Sequence, residues 1–352
     1  MWFKRIEDGD EEALGFYNWF KEVTLAYAEK VYALLGVSFD SYAGESFYND
    51  KMGRVVDELR AKGLLQESDG AQVVDLDAYN MPPCLILKRD GATLYATRDI
   101  AAALYRHDTY DFDKCLYVVA YQQDLHFKQV FKVIELMGYP WHAGLEHVSY
   151  GMVSYEGQAL STRTGHTVYL DELLQRAMDK ALAIIEEKSP GLDNKADAAR
   201  QVGVGAVVYA MLQNNRIKDV DFWWDRALNF DGETGPYVQY THARCCSVLR
   251  KAPSPLADPD WEGLSDDESL QVTLSLSRFP DAVQEAQHRN EPYLITRHVT
   301  QLAQAYNKFY YEHRILDETP GIVAARVQLT DAVRDVIRTG LFLIGLDAPE
   351  RM

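Results

Sequence analysis

The amino-acid sequence predicts an α/β fold followed by an all-α bundle in a chain of 352 residues. Two observations predict this order. Between Cys84 and Val153, short apolar runs alternate with segments of helical periodicity, giving the β-α-β-α-β order of a parallel sheet with right-handed crossovers. After Tyr169 the strand signals fade and helical patterns occupy most of the remaining chain. The length itself favours two domains over one.

Composition and charge limit the class of protein. The chain has 47% apolar and 25% charged residues, which is ordinary for a globular protein and excludes disorder for most of it. Its 36 basic and 53 acidic side chains give a net charge of −17, so any contact with nucleic acid must come from a local basic or aromatic surface. No apolar stretch approaches the roughly 18 residues of a membrane span, and the first dozen residues lack the apolar core of a secretion signal. We therefore expect a cytoplasmic protein that does not span a membrane.

The four cysteines show no Cys-x-x-Cys spacing. The pattern suggests neither a zinc site nor a disulfide framework, and it favours buried free thiols. No metal site is predicted.

The first 96 residues are expected to contain two helices followed by short antiparallel strands. Apolar periodicity predicts a long helix that ends at Gly36, and a second helix that Asn49 or Asp50 caps and Gly63 ends. The turn signals Ser68-Asp69-Gly70 and Asp90-Gly91 predict reversals between strands. The predicted segments are a helix over Ala13–Leu35, a strand at Val73 and Val74, a strand over Cys84–Leu87 and a return strand over Ala92–Ala96.

The parallel sheet follows. Its predicted segments are a helix over Arg98–Tyr105 capped by Thr97, a strand over Cys115–Tyr121 buried on both faces, a helix over Gln122–Met137 closed by Gly138, and a strand over His147–Val153. Because ligands of such sheets bind beyond the carboxyl ends of the strands, the segments after each strand are the candidate sites.

The remainder is predicted to be helical. The predicted helices span residues 170–187, 196–214, 236–249, 270–287, 292–312 and 322–346, with a connecting loop over Lys251–Asp267.

Two candidate sites follow strands. Tyr95 and Asp99, four residues apart, could touch one ligand, and a carboxylate at a helix start can pair with a guanidinium. Alternatively, Asp99 only supports the helix and Arg98 pairs with it. Gln123 and His126 share a helical face; here the alternative is an ordinary surface histidine.

Two further patterns carry possible binding chemistry. Ser161, Thr162 and Arg163 lie in a glycine-bounded loop after Gly151-Met152-Val153, and such loops can close over phosphates or be ordinary surface. Tyr237, Tyr240 and Arg244 fall on one face of a helix and could stack on unpaired RNA bases, or could be core. The same two interpretations apply to the cluster Tyr306, Phe309, Tyr310 and Tyr311.

Several motifs, taken in order, make the chain resemble the arginyl-tRNA synthetases, a class I family. They are Gly44-Glu45-Ser46, Tyr48-Asn49-Asp50, Ser68-Asp69-Gly70-Ala71, Tyr95-x-Thr97-Arg98-Asp99-Ile100-Ala101, Gln123-x-x-His126-Phe127, Ser161-Thr162-Arg163 and Glu233-Thr234-Gly235-Pro236-Tyr237-x-Gln239-Tyr240. The resemblance implies the second half of a Rossmann-type catalytic domain followed by a helical anticodon-binding bundle. The implied domains are a connective part over 1–90, the Rossmann half with its mobile loop over 91–222, and the anticodon-binding domain over 223–352.

The resemblance also implies a reaction and its partners. Arginine attacks ATP, which carries Mg²⁺, to form arginyl-adenylate, and a hydroxyl of the terminal adenosine of the tRNA then takes the arginyl group. No DNA or membrane partner is implied. The matching positions are Tyr95, Asp99 and Gln123 for arginine; His126, Gly151, Met152 and Val153 for ATP; Ser161, Thr162 and Arg163 for phosphate; and Tyr237, Tyr240, Arg244 and Met352 for the anticodon.

Two departures from the family pattern have consequences. Thr164 stands where relatives often have a lysine, and the His-x-Gly-His signature that binds ATP does not occur in this sequence. We expect the amino-terminal part of the family to precede Met1, the chain alone to be inactive, and its sheet to expose edges and apolar surface. The alternatives are one subunit of a split synthetase, a non-catalytic tRNA-binding module, or an unrelated α/β nucleotide enzyme.

Overall fold

A computed structural model of the chain describes residues 2–7, 9–160 and 167–352. The chain forms two compact units. The first, here called the sheet unit, comprises Met1–Tyr27 and Ser38–Gly151. The second, here called the helical unit, comprises Ala28–Val37 and Met152–Met352. The boundaries at 90 and 222 fall inside these units, so the three-domain division stays a prediction.

The sheet unit begins with helices. Its helical segments are α1 (Trp2–Glu7), α2 (Glu11–Leu35, whose last turns belong to the helical unit), a 3₁₀ helix over Glu45–Lys51 and α3 (Met52–Ala61). Gly36 follows α2 at φ +67°, as its role as a helix stop predicts. The predicted cap of α3 is wrong: Asn49 and Asp50 lie within the 3₁₀ helix, where Asp50 pairs with Lys51 at 2.8 Å.

An antiparallel sheet follows α3. It consists of β1 (Leu65–Ser68), β2 (Ala71–Val74) and β3 (Cys84–Leu87), in that order. The predicted return strand over Ala92–Ala96 is wrong, because the described residues there form only a single bridge, Leu87 to Thr93, before α4 (Tyr95–Tyr110) begins. Thr97 does not cap this helix. The residue lies within the first turn of α4, and its buried hydroxyl donates to the carbonyl of Ile86 at 2.6 Å, which anchors α4 to β3.

A parallel pair completes the unit. Strand β4 (Cys115–Ala120) pairs with β5 (Leu145–Tyr150) in unbroken register, and α5 (Asp124–Leu136) connects them, which confirms the crossover. Burial of β4 on both faces is a wrong prediction. Tyr117 is 7% exposed, but Val118 on the opposite face is 63% exposed, because the apolar core containing α4 and α5 covers one face only.

Helix α2 also presents apolar side chains to solvent. Phe16, Trp19, Phe20 and Val23 recur at helical spacing and are 48%, 56%, 60% and 53% exposed. Contiguous apolar surface of this kind promotes association. We expect the purified chain to bind a hydrophobic fluorescent dye and to self-associate as its concentration rises, as measured by light scattering. Trypsin should cut the sheet unit before the helical unit.

The double variant Trp19→Glu with Phe20→Glu should reduce dye binding and scattering. Tyr311→Glu, which changes an exposed aromatic residue of the helical unit, is the matched control and should alter neither. A chain that stays monomeric and binds no dye would contradict this expectation.

The helical unit contains a small sheet of its own. It consists of β7 (Gln158–Ala159), β6 (Val153–Tyr155) and β8 (Val220–Phe222), with β6 antiparallel to β7 and parallel to β8. The predicted strand over His147–Val153 is therefore two strands, since Tyr150 ends β5 and Val153 begins β6. Asp221 fixes the hairpin by accepting from the Ser154 hydroxyl at 2.8 Å and the Gly157 amide at 2.9 Å. These bonds lower the pKa of Asp221.

Helices form most of the rest of this unit among the described residues. They are α6 (Leu170–Lys188), α7 (Lys195–Leu212), α8 (Trp224–Ala227), α9 (Gly235–Lys251), α10 (Asp267–Ser277), α11 (Phe279–Arg289), α12 (Tyr293–Glu312) and α13 (Pro320–Leu343). The predicted helix over 270–287 is two helices, separated at Arg278, and Pro280 lies in the first turn of α11, where proline is favoured. The predicted loop over Lys251–Asp267 contains a 3₁₀ turn at Trp261–Leu264. None of the described helices combines the length and apolar character that a bilayer crossing requires.

Candidate functional site

Three predicted residues meet in the sheet unit, where α4 and α5 begin. The Nε2 atom of His126 lies 2.6 Å from Oδ2 of Asp99, and the rings of His126 and Tyr95 are 4.9 Å apart. The alternative in which Arg98 pairs with Asp99 is wrong, since Arg98 donates to Glu45 at 2.8 Å instead. His126, assigned to ATP on the sequence, thus contacts the carboxylate assigned to arginine.

This carboxylate is open to a ligand. The Asp99 side chain retains 34% of its exposure, whereas that of His126 retains 11%. Gln123 is exposed at the start of α5, three residues before His126. A carboxylate oriented by one imidazole still has lone pairs for a second, charged donor, so the arrangement can accept a guanidinium.

A second histidine–carboxylate pair lies in the same unit and was missed on the sequence. The Nδ1 atom of His147 lies 3.2 Å from Oδ1 of Asp124, and its Nε2 atom is 3.0 Å from the carbonyl of Val119. Phe127 packs on its ring at 4.6 Å. Both ring nitrogens of His147 have protein partners. This pair therefore supports the fold, in contrast to Asp99–His126, whose carboxylate is open to a ligand.

The other residues assigned to ATP and phosphate are divided between the units. Gly151 is buried at the end of the sheet unit, and Met152 and Val153 in the helical unit have exposed side chains. The backbone of Met152 is already bonded, because its amide donates to Asp219 at 2.6 Å and its carbonyl accepts from the Val220 amide at 2.8 Å. Ser161, Thr162, Arg163 and Thr164 lie outside the described residues.

A groove of about 1170 Å³ in the helical unit brings together most residues assigned to the anticodon. Tyr240, Arg244 and Met352 line it, whereas Tyr237 is partly buried and packs against the core. The groove is also lined by Tyr310 and Tyr311 of the aromatic cluster identified on the sequence, and by basic side chains that were absent from the predicted site: Arg250, Lys251, Arg314 and Arg351. This is a local basic and aromatic surface on an acidic protein.

Arg244 is held rigidly in this groove. Its guanidinium carbon lies 4.9 Å from the ring centre of Tyr240 and 4.7 Å from that of Tyr310, and it donates to Asn307. Of the aromatic cluster on α12, Tyr306 and Phe309 are fully buried, while Tyr310 and Tyr311 are 40% and 85% exposed. Tyr306 and Phe309 are therefore core residues, as one interpretation of the cluster predicts, whereas Tyr310 and Tyr311 are exposed, as the RNA-stacking interpretation requires.

Behind the groove, burial lowers the pKa of His242, whose Nδ1 atom lies 2.9 Å from the carbonyl of Pro349. The charged groups near it are Arg334 and Arg338, which also lower its pKa, and Glu350, which raises it. The neutral imidazole is thus the native form.

This gives the helical unit a pH-dependent stability. A histidine with a depressed native pKa leaves the native state less protonated than the unfolded state as pH falls through the ordinary value of 6.5. The free energy of unfolding should therefore fall below that pH, by at most about 1.4 kcal/mol per pH unit. Urea unfolding at pH 5.5 and 7.5 measures this, and His242→Asn should flatten the dependence. An equal slope in both proteins would contradict it.

Asp266, Glu268 and His313 lie close enough together to suit one metal ion. Each already has protein contacts: Asp266 caps α10 by accepting from the Ser269 amide at 2.7 Å, and Glu268 pairs with Lys308 at 3.0 Å. The Nε2 atom of His313 lies 3.1 Å from Oδ1 of Asp266. The group is a network of ion pairs and caps.

Comparisons with known proteins agree on one family. Residues 1–224 match the model of the class I (R) tRNA synthetase catalytic domain, and residues 238–352 match the model of the DALR anticodon binding domain. The chain is 53% identical over its full length to arginine–tRNA ligases of Alkaliphilus metalliredigens and Clostridioides difficile. It spans 62% of the length of each of those relatives.

Solved structures resemble the chain as well. An arginyl-tRNA synthetase of Thermus thermophilus superposes with a TM-score of 0.87 at 27% identity, covering 99% of this chain and 67% of that one. A methionyl-tRNA synthetase of Mycobacterium tuberculosis, in complex with methionyl-adenylate, shares the fold at a TM-score of 0.63 and 12% identity, covering 92% of this chain and 77% of that one.

Proposed function

The chain belongs to the class I arginyl-tRNA synthetases, and from this premise we propose that it takes part in ATP-dependent attachment of arginine to its tRNA. The proposed arginine site lies in the sheet unit and the proposed anticodon site in the helical unit. The observation that carries the proposal is the open carboxylate of Asp99, held by His126 beside Tyr95.

The arginine site uses charge and shape. Asp99 receives the guanidinium of the substrate, Tyr95 lies beside it, and Gln123 supplies an amide from the start of α5. His126 orients the Asp99 carboxylate, and this contact supports a role in the arginine site in addition to its role near adenosine. A non-catalytic RNA-binding module has no need of such a pocket.

The chemistry is adenylate formation followed by transfer. A carboxylate oxygen of arginine attacks the α-phosphorus of ATP, and the bond to pyrophosphate, which leaves with Mg²⁺, breaks. A ribose hydroxyl of the tRNA then attacks the arginyl carbonyl, loses its proton and releases AMP. His126, Gly151, Met152 and Val153 are the residues proposed near adenosine, and Ser161, Thr162 and Arg163 are those proposed near the phosphates. Positioning and charge stabilisation supply most of such catalysis.

These residues do not supply every part of the reaction. Because the sequence has no His-x-Gly-His, we propose that the chain needs a further segment carrying those histidines, from an amino-terminal part or a partner subunit. Without these histidines, the ATP phosphates lack the hydrogen-bond donors that the signature supplies.

The groove of the helical unit is proposed to bind the anticodon loop. Tyr240 and Tyr311 offer exposed stacking surfaces, and Arg244 with its basic neighbours offers charge to the backbone. Unpaired bases that stack on aromatic side chains gain about 1–3 kcal/mol each. The groove therefore fits a single-stranded RNA loop.

Removing one stacking surface tests this function. Tyr311→Ala should weaken binding of an arginine tRNA transcript about 10-fold, measured by filter binding, because one base loses its stacking partner. The residue is 85% exposed, so the fold should be unaffected. Tyr110→Ala, at an exposed tyrosine of the sheet unit, is the matched control and should bind like the wild type. Equal affinity of the Tyr311 variant and the wild type would count against the groove.

A further inference from the structure

Residues 347–352 run back across the helical unit after α13 and lie against α9. Three side chains of α9 and that of Ser189, which follows the last residue of α6, hold backbone carbonyls of this segment. Gln239 donates to Asp347 at 2.9 Å, His242 lies 2.9 Å from the Pro349 oxygen, Arg250 donates to Glu350 at 3.2 Å, and Ser189 donates to Met352 at 3.2 Å. Four of six carbonyls are thus fixed by side chains rather than by a strand or helix ladder.

Helix α9 therefore has two neighbouring polar faces. Tyr240 and Arg244 face the groove, while Gln239 and His242 face the 347–352 segment. Gln239 and Tyr240 are adjacent in the chain, so the two faces adjoin on the surface of α9. Because Arg351 and Met352 of the segment also line the groove, a shift of the segment would change the shape of the groove.

The two segment-facing residues are unusually buried for polar side chains. Gln239 is 0% exposed and His242 is 1% exposed. Gln239 also donates to the carbonyl of Gln201 at 3.1 Å. Space for it comes from Gly205, where an added Cβ would lie 2.7 Å from the Gln239 amide nitrogen. Buried polar groups are costly unless bonded, so the bonds from Nε2 of Gln239 and Nδ1 of His242 to the segment stabilise both partners, although the buried Oε1 of Gln239 has no hydrogen-bond partner among the described residues.

We propose that Gln239 and His242 are positioning residues that hold the 347–352 segment as one wall of the RNA groove. Arg351 and Met352, which line the groove, are presented to RNA by this clamp. The inference rests on the proposed anticodon-binding function. It assigns a role to two residues that do not themselves line the groove.

Variants of His242 test the clamp in the full chain. His242→Ala removes the donor, whereas His242→Asn keeps an N–H close to the position of Nδ1. We expect His242→Ala to weaken binding of an arginine tRNA transcript about 10-fold, since Arg351 and Met352 lose their placement. His242→Asn should stay within about 3-fold of the wild type. Hydrogen exchange at residues 348–352 should rise in the alanine variant and not in the asparagine variant.

A deletion separates the clamp from general damage. Removing residues 351–352 should weaken binding by itself, and adding His242→Ala to that deletion should weaken it no further, because both changes remove the same contact. Additive losses would overturn the clamp, as would unchanged exchange at 348–352 in His242→Ala.

The Tyr311→Ala variant distinguishes the two proposals. If it loses affinity while His242→Ala does not, the groove binds RNA and the clamp is wrong. If neither loses affinity, both the groove and the clamp are overturned.

Discussion

Replacing Asp99 by asparagine should abolish most arginine binding by this chain. The change keeps the size of the side chain and an oxygen for His126, but it removes the negative charge offered to the guanidinium. Loss of one partner of a hydrogen-bonded charge pair costs roughly 2–5 kcal/mol, so we expect about 100-fold weaker binding. Calorimetric titration with L-arginine measures it.

The matched control is Asp124→Asn. Asp124 forms another histidine–carboxylate pair of the sheet unit, with His147, and its replacement should leave arginine affinity within about 2-fold of the wild type. Wild-type affinity in the Asp99 variant, or no heat from arginine with the wild-type chain, would refute the proposed site.

The chain alone should catalyse almost no arginine-dependent exchange of pyrophosphate into ATP. Each missing donor to a developing charge costs about 10²–10³ in rate, so two missing histidines lower it by about 10⁴-fold or more. The assay is exchange of labelled pyrophosphate at saturating arginine and ATP.

The positive control is the arginine–tRNA ligase of Clostridioides difficile, of whose length the chain spans 62%. Exchange by this chain within about 10-fold of that enzyme would show that the His-x-Gly-His signature is dispensable here. Exchange restored by a segment that carries the signature would support the proposed division of the site.

The alternation of strands and helices was predictable because residues that face the core are apolar and recur at the period of the element that carries them. The crossover from β4 through α5 to β5 was confirmed, and so was the helical remainder. The predicted return strand at Ala92–Ala96 failed because the turn signal at Asp90-Gly91 favours a reversal, not a strand, and Thr97 found a tertiary partner in Ile86. Local propensity cannot reveal a partner eleven residues away.

The small sheet of the helical unit contains a strand that the sequence could not predict. Strand β8 has three residues, too few for a periodic signal, and it exists because Asp219 and Asp221 bond the backbone and side chains near β6. In the groove, spacing on α9 identified Tyr240 and Arg244, and the aromatic cluster on α12 included Tyr310 and Tyr311. Which members of that cluster line the groove depends on tertiary packing, which the helical period of one element does not report.

The pairing of β6 with β8 has a consequence for the order of folding. The bond between Ser154 and Asp221 joins residues 67 apart, with α6 and α7 between them. The entropic cost of closing so long a loop is paid before the few hydrogen bonds of this sheet form. Docking of α6 on α7 shortens the effective loop, so the ladder should form after those helices pack. The hairpin at 153–159 should then be among the last parts of the helical unit to gain protection during refolding.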